Sequence, residues 1–109
     1  MSAPQRGDIV ILSFDPQTGH EQTKRRPALV LSPAAFNEAF GVAFVAPVTT
    51  KPRGTPFEVA LPGDFSVTGA VAVQQLKALD WRARRARRVA SAPADVVATA
   101  AEIVRKIVG

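Results

Sequence analysis

The sequence predicts a mainly β domain with a C-terminal helix, arranged as a small, partly open barrel. About five short apolar runs follow one another at close spacing, each bounded by glycine, proline or aspartate turn chemistry. A single amphipathic pattern, residues 93–108, comes last. Strands and helices do not alternate in βαβ fashion, which argues against a parallel sheet.

Gly7-Asp8 opens the first strand, residues 9–14, where Ile9, Val10, Ile11 and Leu12 form a continuous apolar run suited to burial on both faces. Asp15-Pro16-Gln17-Thr18-Gly19 ends it with turn chemistry. A polar loop over 19–27 leads into a second strand at 28–31, bounded by Pro27 and Ser32-Pro33. Ser32 as N-cap and Pro33 at the first helical position predict one helical turn over 32–37, and Gly41 closes that excursion. A third strand follows at 42–48, with Pro47 placing its end at an edge or bulge and Thr49-Thr50 exposed at its exit.

The basic, turn-rich loop 51–56 separates that strand from a half-buried one at 57–61. After the turn Pro62-Gly63-Asp64, another strand spans 69–73, and Gln74-Gln75 continue it toward the surface. Residues 77–88 then set Lys77, Arg82, Arg84, Arg85, Arg87 and Arg88 against one acid, Asp80, with Trp81 in the middle. In the closing helix Val96, Ala100, Ile103 and Ile107 share a face, with Val97, Ala101, Val104 and Val108 one step round.

A chain of 109 residues with 47% hydrophobic content is one domain with a real core, which excludes a disordered chain. It has no cysteine and one histidine, so disulfides, thiolate metal sites and multi-histidine zinc are excluded. Its nine acids are scattered, so no metal and no cofactor are expected. No apolar run approaches the roughly 20 residues of a membrane span. The N-terminus lacks the apolar core of a secretory signal, so the expectation is a cytoplasmic protein with no membrane partner. A formal charge of +5 points to anionic partners: nucleic acid or an acidic protein ahead of a membrane surface.

The polar loop gathers His20, Glu21, Lys24, Arg25 and Arg26 beside a rigid strand, a set suited to handling a phosphate ester. The alternative is a solvated loop in which Glu21 pairs locally with Lys24 or Arg25.

In order along the chain stand Arg6-Gly7-Asp8-Ile9-Val10, Phe14-Asp15-Pro16, Gly19-His20-Glu21-Gln22 and Arg26-Pro27-Ala28-Leu29-Val30-Leu31-Ser32-Pro33. Pro47-Val48-Thr49-Thr50, Thr55-Pro56-Phe57-Glu58-Val59 and Ala78-Leu79-Asp80-Trp81-Arg82-Ala83-Arg84 follow. Together these fragments resemble the MazF/Kid (PemK) toxins of type II toxin–antitoxin systems over nearly the full length. The resemblance implies an SH3-like, CcdB/PemK-like barrel, residues 1–109 as a single endoribonuclease domain, and a homodimer. It also implies metal-independent, sequence-selective cleavage of single-stranded RNA that inhibits translation and growth, and a MazE-like acidic antitoxin as partner.

RNA carries its own nucleophile, the 2′-hydroxyl, so the protein must supply a base, positive charge or donors for the phosphorane, and an acid for the leaving oxygen. Arg26, the position of the family's catalytic arginine, can grip two phosphate oxygens and stays protonated, with Pro27 fixing the backbone beside it. Thr49, at an active-site position of the family, can donate its hydroxyl to a non-bridging oxygen; otherwise it satisfies backbone at a strand end. His20 and Glu21 compete for the base, with Glu21 alternatively orienting Arg26. Kid-like members carry an acidic base and an arginine where this chain has Gln74 and Ala72, so proton transfer must come from the 21–26 loop.

Thr50, Lys51, Arg53, Phe57, Gln75, Lys77, Arg82 and Arg84 are the expected RNA contacts, with Arg82 and Arg84 nearest the groove. Trp81 reads as a core anchor, the alternative being base stacking. The rival functions are a non-catalytic barrel acting on a protein target, as the gyrase-directed CcdB toxins do, and a simple RNA-binding module.

Overall fold

Strand β1 (Asp8–Ser13) organises the sheet in the computed structural model, which describes residues 2–14 and 25–109. Strand β2 (Arg25–Val30) runs antiparallel to it, with Ile9 opposite Leu29 and Leu12 opposite Arg26. Strand β3 (Ala43–Thr49) pairs with β2 from Ala28↔Pro47 to Val30↔Val45. Beyond them lie β4 (Glu58–Ala60), β5 (Ala70–Ala72), β6 (Lys77–Leu79) and β7 (Arg87–Ser91). The order is β4-β5-β3-β2-β1-β7, every pairing is antiparallel, and β6 joins β3 at Ala43–Val45. With β4 and β7 as its two ends, the sheet is open, as the sequence predicts.

Pleat alternation explains why the strand sequences are apolar at consecutive positions. Ile9, Leu29, Leu31, Ala46, Val48 and Val71 meet Val96, Ala100 and Ile103 of the C-terminal helix α2 (Ala94–Val108) on one face. Val10, Leu12, Ala28, Val30, Ala43 and Val45 pack on the other face with Leu79, Trp81 and Ala86. Helix α2 buries Val96, Ala100 and Ile103 as predicted, but Ile107 and Val108 are exposed, because the last turn runs past the cluster that ends at Ile103.

Three local readings need correction. The second strand begins at Arg25, so Arg25, Arg26 and Pro27 belong to β2 and not to the preceding loop. Pro27 is tolerated there because the ladder to β3 has ended at Ala28. Ser32 is not a cap: Pro33 precedes helix α1 (Ala34–Phe40), and the Ser32 hydroxyl donates to Asn37 Oδ1 (2.6 Å) and accepts from the Phe44 N–H (2.8 Å). A buried asparagine needs its polar atoms satisfied, and that requirement recruits the hydroxyl. The stretch Val73–Gln75 is a 3-10 turn, not a strand extension. Continued pleating would aim one glutamine at each apolar face, whereas the turn exposes both.

Strands β6 and β7 were not foreseen. Residues 77–88 read as a basic run with no strand pattern, yet β7 is an edge strand whose charges stay exposed. Between them, residues 80–86 fold back through Ala86 N–H to the Trp81 carbonyl (2.9 Å) and Arg85 N–H to the Arg82 carbonyl (3.1 Å). Arg85 pays for this reversal with φ +53°, the left-handed region. Arg85→Gly is therefore expected to stabilise the fold by about 0.5–1 kcal/mol, read as a higher urea midpoint at unchanged slope.

Candidate active site

The β2–β3 ladder ends at Ala28↔Pro47, and Arg26 and Thr49 stand two residues beyond it on the neighbouring strands. Alternation puts both on the sheet face that carries Ala28, Val30 and Val45, so the guanidinium and the hydroxyl project from one surface. On its other side Arg26 opposes Leu12, and its Cζ lies 5.6 Å from the centroid of the Phe14 ring. That contact orients the guanidinium without occupying its N–H donors. Among the described residues no carboxylate pairs with Arg26. Phe14, two residues after Leu12 on the alternating face, had no role in the sequence reading beyond its place in a motif.

Arg25, one residue away, is spent on the fold. Its guanidinium donates to the carbonyls of Ile11 (3.0 Å), Arg84 (3.0 Å) and Arg85 (2.7 Å), tying the start of β2 to the 80–86 turn. The Thr49 hydroxyl accepts the Lys51 N–H at 3.1 Å, and its own proton, with no acceptor among the described residues, can donate outward. Thr49 pairs with Ala70 of β5, and the glycine before that strand runs tight against it. A Cβ on Gly69 would stand 2.2 Å from the Thr49 carbonyl oxygen, and its φ is +128°. Gly69→Ala should thus displace Thr49, costing about 1–3 kcal/mol of stability. RNA cleavage should fall as well, even at temperatures where the variant is fully folded.

A family model described as the PemK-like, MazF-like toxin of type II toxin–antitoxin systems matches residues 5–108. The chain belongs to that family. It is 42% identical over 85 residues to the endoribonuclease toxin MazF of Escherichia coli K12, spanning 78% of this chain and 76% of that one. MazF of Deinococcus radiodurans superposes with a TM-score of 0.89 at 48% identity, over 100% of this chain and 99% of the other. A chain of the MazE–MazF complex from the same organism gives 0.87 at 42% identity, over 100% and 98%.

In this PemK/MazF-like toxin the other nominated residues fall into distinct groups. His20 and Glu21 lie outside the described residues. Thr50, Lys51, Arg53 and Phe57 follow Thr49 along an exposed segment, and Gln75 is exposed at the end of the 3-10 turn. Lys77 is exposed but opposes Val45, about 13 Å along β3 from Thr49 at ~3.3 Å per residue. Arg82 lies further still, stacked 4.7 Å from the Trp81 ring and paired with Glu38 of α1 at 3.7 Å. Arg84 is only 9% exposed, binds Asp80 at 2.8 Å and donates to the Ser13 carbonyl. Of the two arginines expected nearest the groove, Arg82 thus flanks α1 and Arg84 secures a turn. Trp81 is the core anchor, 1% exposed, with Nε1–H donating to the Asn37 carbonyl at 2.9 Å.

One acid on the Arg26–Thr49 face escaped the sequence reading. Glu58 opposes Ala72 on β5, and its carboxylate accepts the backbone N–H groups of Arg53, Gly54 and Thr55. Desolvation raises its pKa, but those three N–H groups and the Gln74 side chain outweigh it and hold the carboxyl below its ordinary value. No signal in the sequence marks this acid beyond its position after a turn-rich loop. Among the described residues no three His, Cys, Asp or Glu side chains gather to hold a metal ion, and no helix is long and apolar enough to cross a membrane.

Proposed function

We propose that this endoribonuclease toxin cuts single-stranded RNA, sequence-selectively and without a metal, at Arg26 and Thr49. The supporting observation is that Arg26, with no carboxylate partner among the described residues, and Thr49 lie on one sheet face, each two residues past the Ala28↔Pro47 pair of neighbouring strands. The 2′-oxygen bonds to phosphorus as its proton leaves to a base. The bond from phosphorus to the 5′-oxygen breaks, and that oxygen gains a proton. The products are a 2′,3′-cyclic phosphate and a 5′-hydroxyl. Arg26 donates to the equatorial oxygens while Thr49 donates to one of them, stabilising charge that exists only in the transition state.

With Gln74 and Ala72 unable to exchange protons, His20 or Glu21 supplies the base, and Glu21 otherwise orients Arg26. Thr50, Lys51, Arg53, Phe57, Gln75 and Lys77 contact the strand on either side of the cut. The chain acts as one domain, in the cytoplasm, as a homodimer. Exposed Phe40 and Phe44, stacked about Phe36, offer an apolar face for a second copy. A MazE-like acidic antitoxin silences it, in keeping with the +5 charge and with the MazE–MazF complex of a relative.

The test is incubation of the purified protein with mixed-sequence RNA in EDTA, followed by end analysis. Discrete fragments ending in cyclic phosphate and 5′-hydroxyl are expected. Intact RNA with retarded migration would instead favour a binding module, and intact RNA without retardation a protein-directed toxin.

A further inference from the structure

Glu58 stands on the same sheet face as Thr49, with β5 between them: Thr49 opposes Ala70, and Glu58 opposes Ala72. Its Oε1 accepts from the N–H groups of Arg53 (3.0 Å), Gly54 (2.9 Å) and Thr55 (3.2 Å), and Oε2 accepts from Arg53 at 3.2 Å. The chain that leaves Thr49 is therefore gathered onto one carboxylate before it re-enters the sheet at β4. Thr55 adds a local brace, its hydroxyl accepting the Phe57 N–H at 3.3 Å, and Gly54 turns at φ +73°. Three N–H donors on one carboxylate stabilise its ionised form, which makes it a poor proton acceptor.

We propose that Glu58 is a specificity-determining positioning residue, which shapes segment 50–57 beside Thr49 and so selects the RNA sequences that fit across the site. The inference rests on the endoribonuclease reading above. Lys51, Arg53 and Phe57 all hang from this segment, and each is exposed. Their directions follow the backbone that Glu58 holds, so one carboxylate sets the spacing of two cations and an aromatic ring along the bound strand. Without the carboxylate three neighbouring N–H groups lose their common acceptor, and the segment samples other shapes before RNA can bind it.

The experiment compares Glu58→Gln and Glu58→Ala with the parent protein. Amide hydrogen exchange at Arg53, Gly54 and Thr55 should accelerate about tenfold or more in both variants, because the shared acceptor is lost or weakened. Digestion of a random RNA pool should show the ratio of preferred to single-mismatch sites falling about tenfold, the size expected for an ordering cost of this kind. At the preferred site KM should rise while kcat changes less than about threefold and the pH–rate profile keeps its shape. Unchanged selectivity with accelerated exchange would overturn the proposal, as would unchanged exchange. Loss of a limb of the pH–rate profile would make Glu58 the base and also overturn it. A parent protein that leaves the pool uncut defeats the endoribonuclease reading itself, an outcome the exchange measurement keeps separate from the geometry of the segment.

Discussion

Arg26→Ala is expected to lower the single-turnover rate of RNA cleavage by about 100- to 1,000-fold, the loss typical of removing one preorganised donor from a developing oxyanion. Stability should change little, since among the described residues the side chain makes only the contact with Phe14, worth about 0.5–1 kcal/mol. Arg26→Lys keeps the charge but not the two-pronged geometry, so it should recover only part of the rate. Thr49→Ala removes the opposing donor and should cost roughly tenfold to 100-fold, while Thr49→Ser, which retains the hydroxyl, should restore most of it. Because both groups address one phosphorane, the double variant should lose less than the product of the two single losses. Additive losses, or an Arg26→Ala protein within about threefold of the parent, would break the link between the register and the chemistry.

The second large effect concerns the core. Trp81→Ala should destabilise the protein by about 3–5 kcal/mol, a large share of the ~5–15 kcal/mol that holds a domain of this size together. The ring fills the face lined by Val10, Leu12, Val30 and Val45, and its N–H satisfies the Asn37 carbonyl. Trp81→Phe should be milder, with a smaller void and one hydrogen bond lost, since the Asn37 carbonyl keeps the Gly41 N–H at 3.0 Å, costing about 1–2 kcal/mol. Urea unfolding measures both. The Trp81→Phe protein should cleave RNA at nearly the parent rate once folded, whereas a base-stacking role would show as a raised KM with little change in the urea midpoint.

The strand readings succeeded where one local pattern sufficed. The continuous apolar run of β1 implied two covered faces, and both are covered, by α2 and by the segment around Trp81. The readings failed where a long-range partner decided the outcome. Ser32 had the right chemistry for a cap and was claimed by Asn37 instead. Gln74 and Gln75 looked like the end of a strand, but burying their amides would have cost more than breaking the ladder. The cations of β7 concealed a strand because an edge tolerates charge. Glu58 gave no sign that it holds a loop, since backbone N–H groups carry no signature in the side-chain sequence.

Residue order alone determined the periodicities, the turn chemistry, the net charge and the inventory of groups able to act on a phosphate, because each depends on neighbours a few positions apart. Which of those groups is free to act was decided only in three dimensions. Arg25 and Arg26 are chemically the same and adjacent, yet pleating turns them to opposite faces. One is consumed by carbonyls 59 and 60 residues away in the chain, and the other is left on the sheet face that also carries Thr49, by the register of β2 on β3. Register is a property of strand pairs, and it forms only when the sheet does.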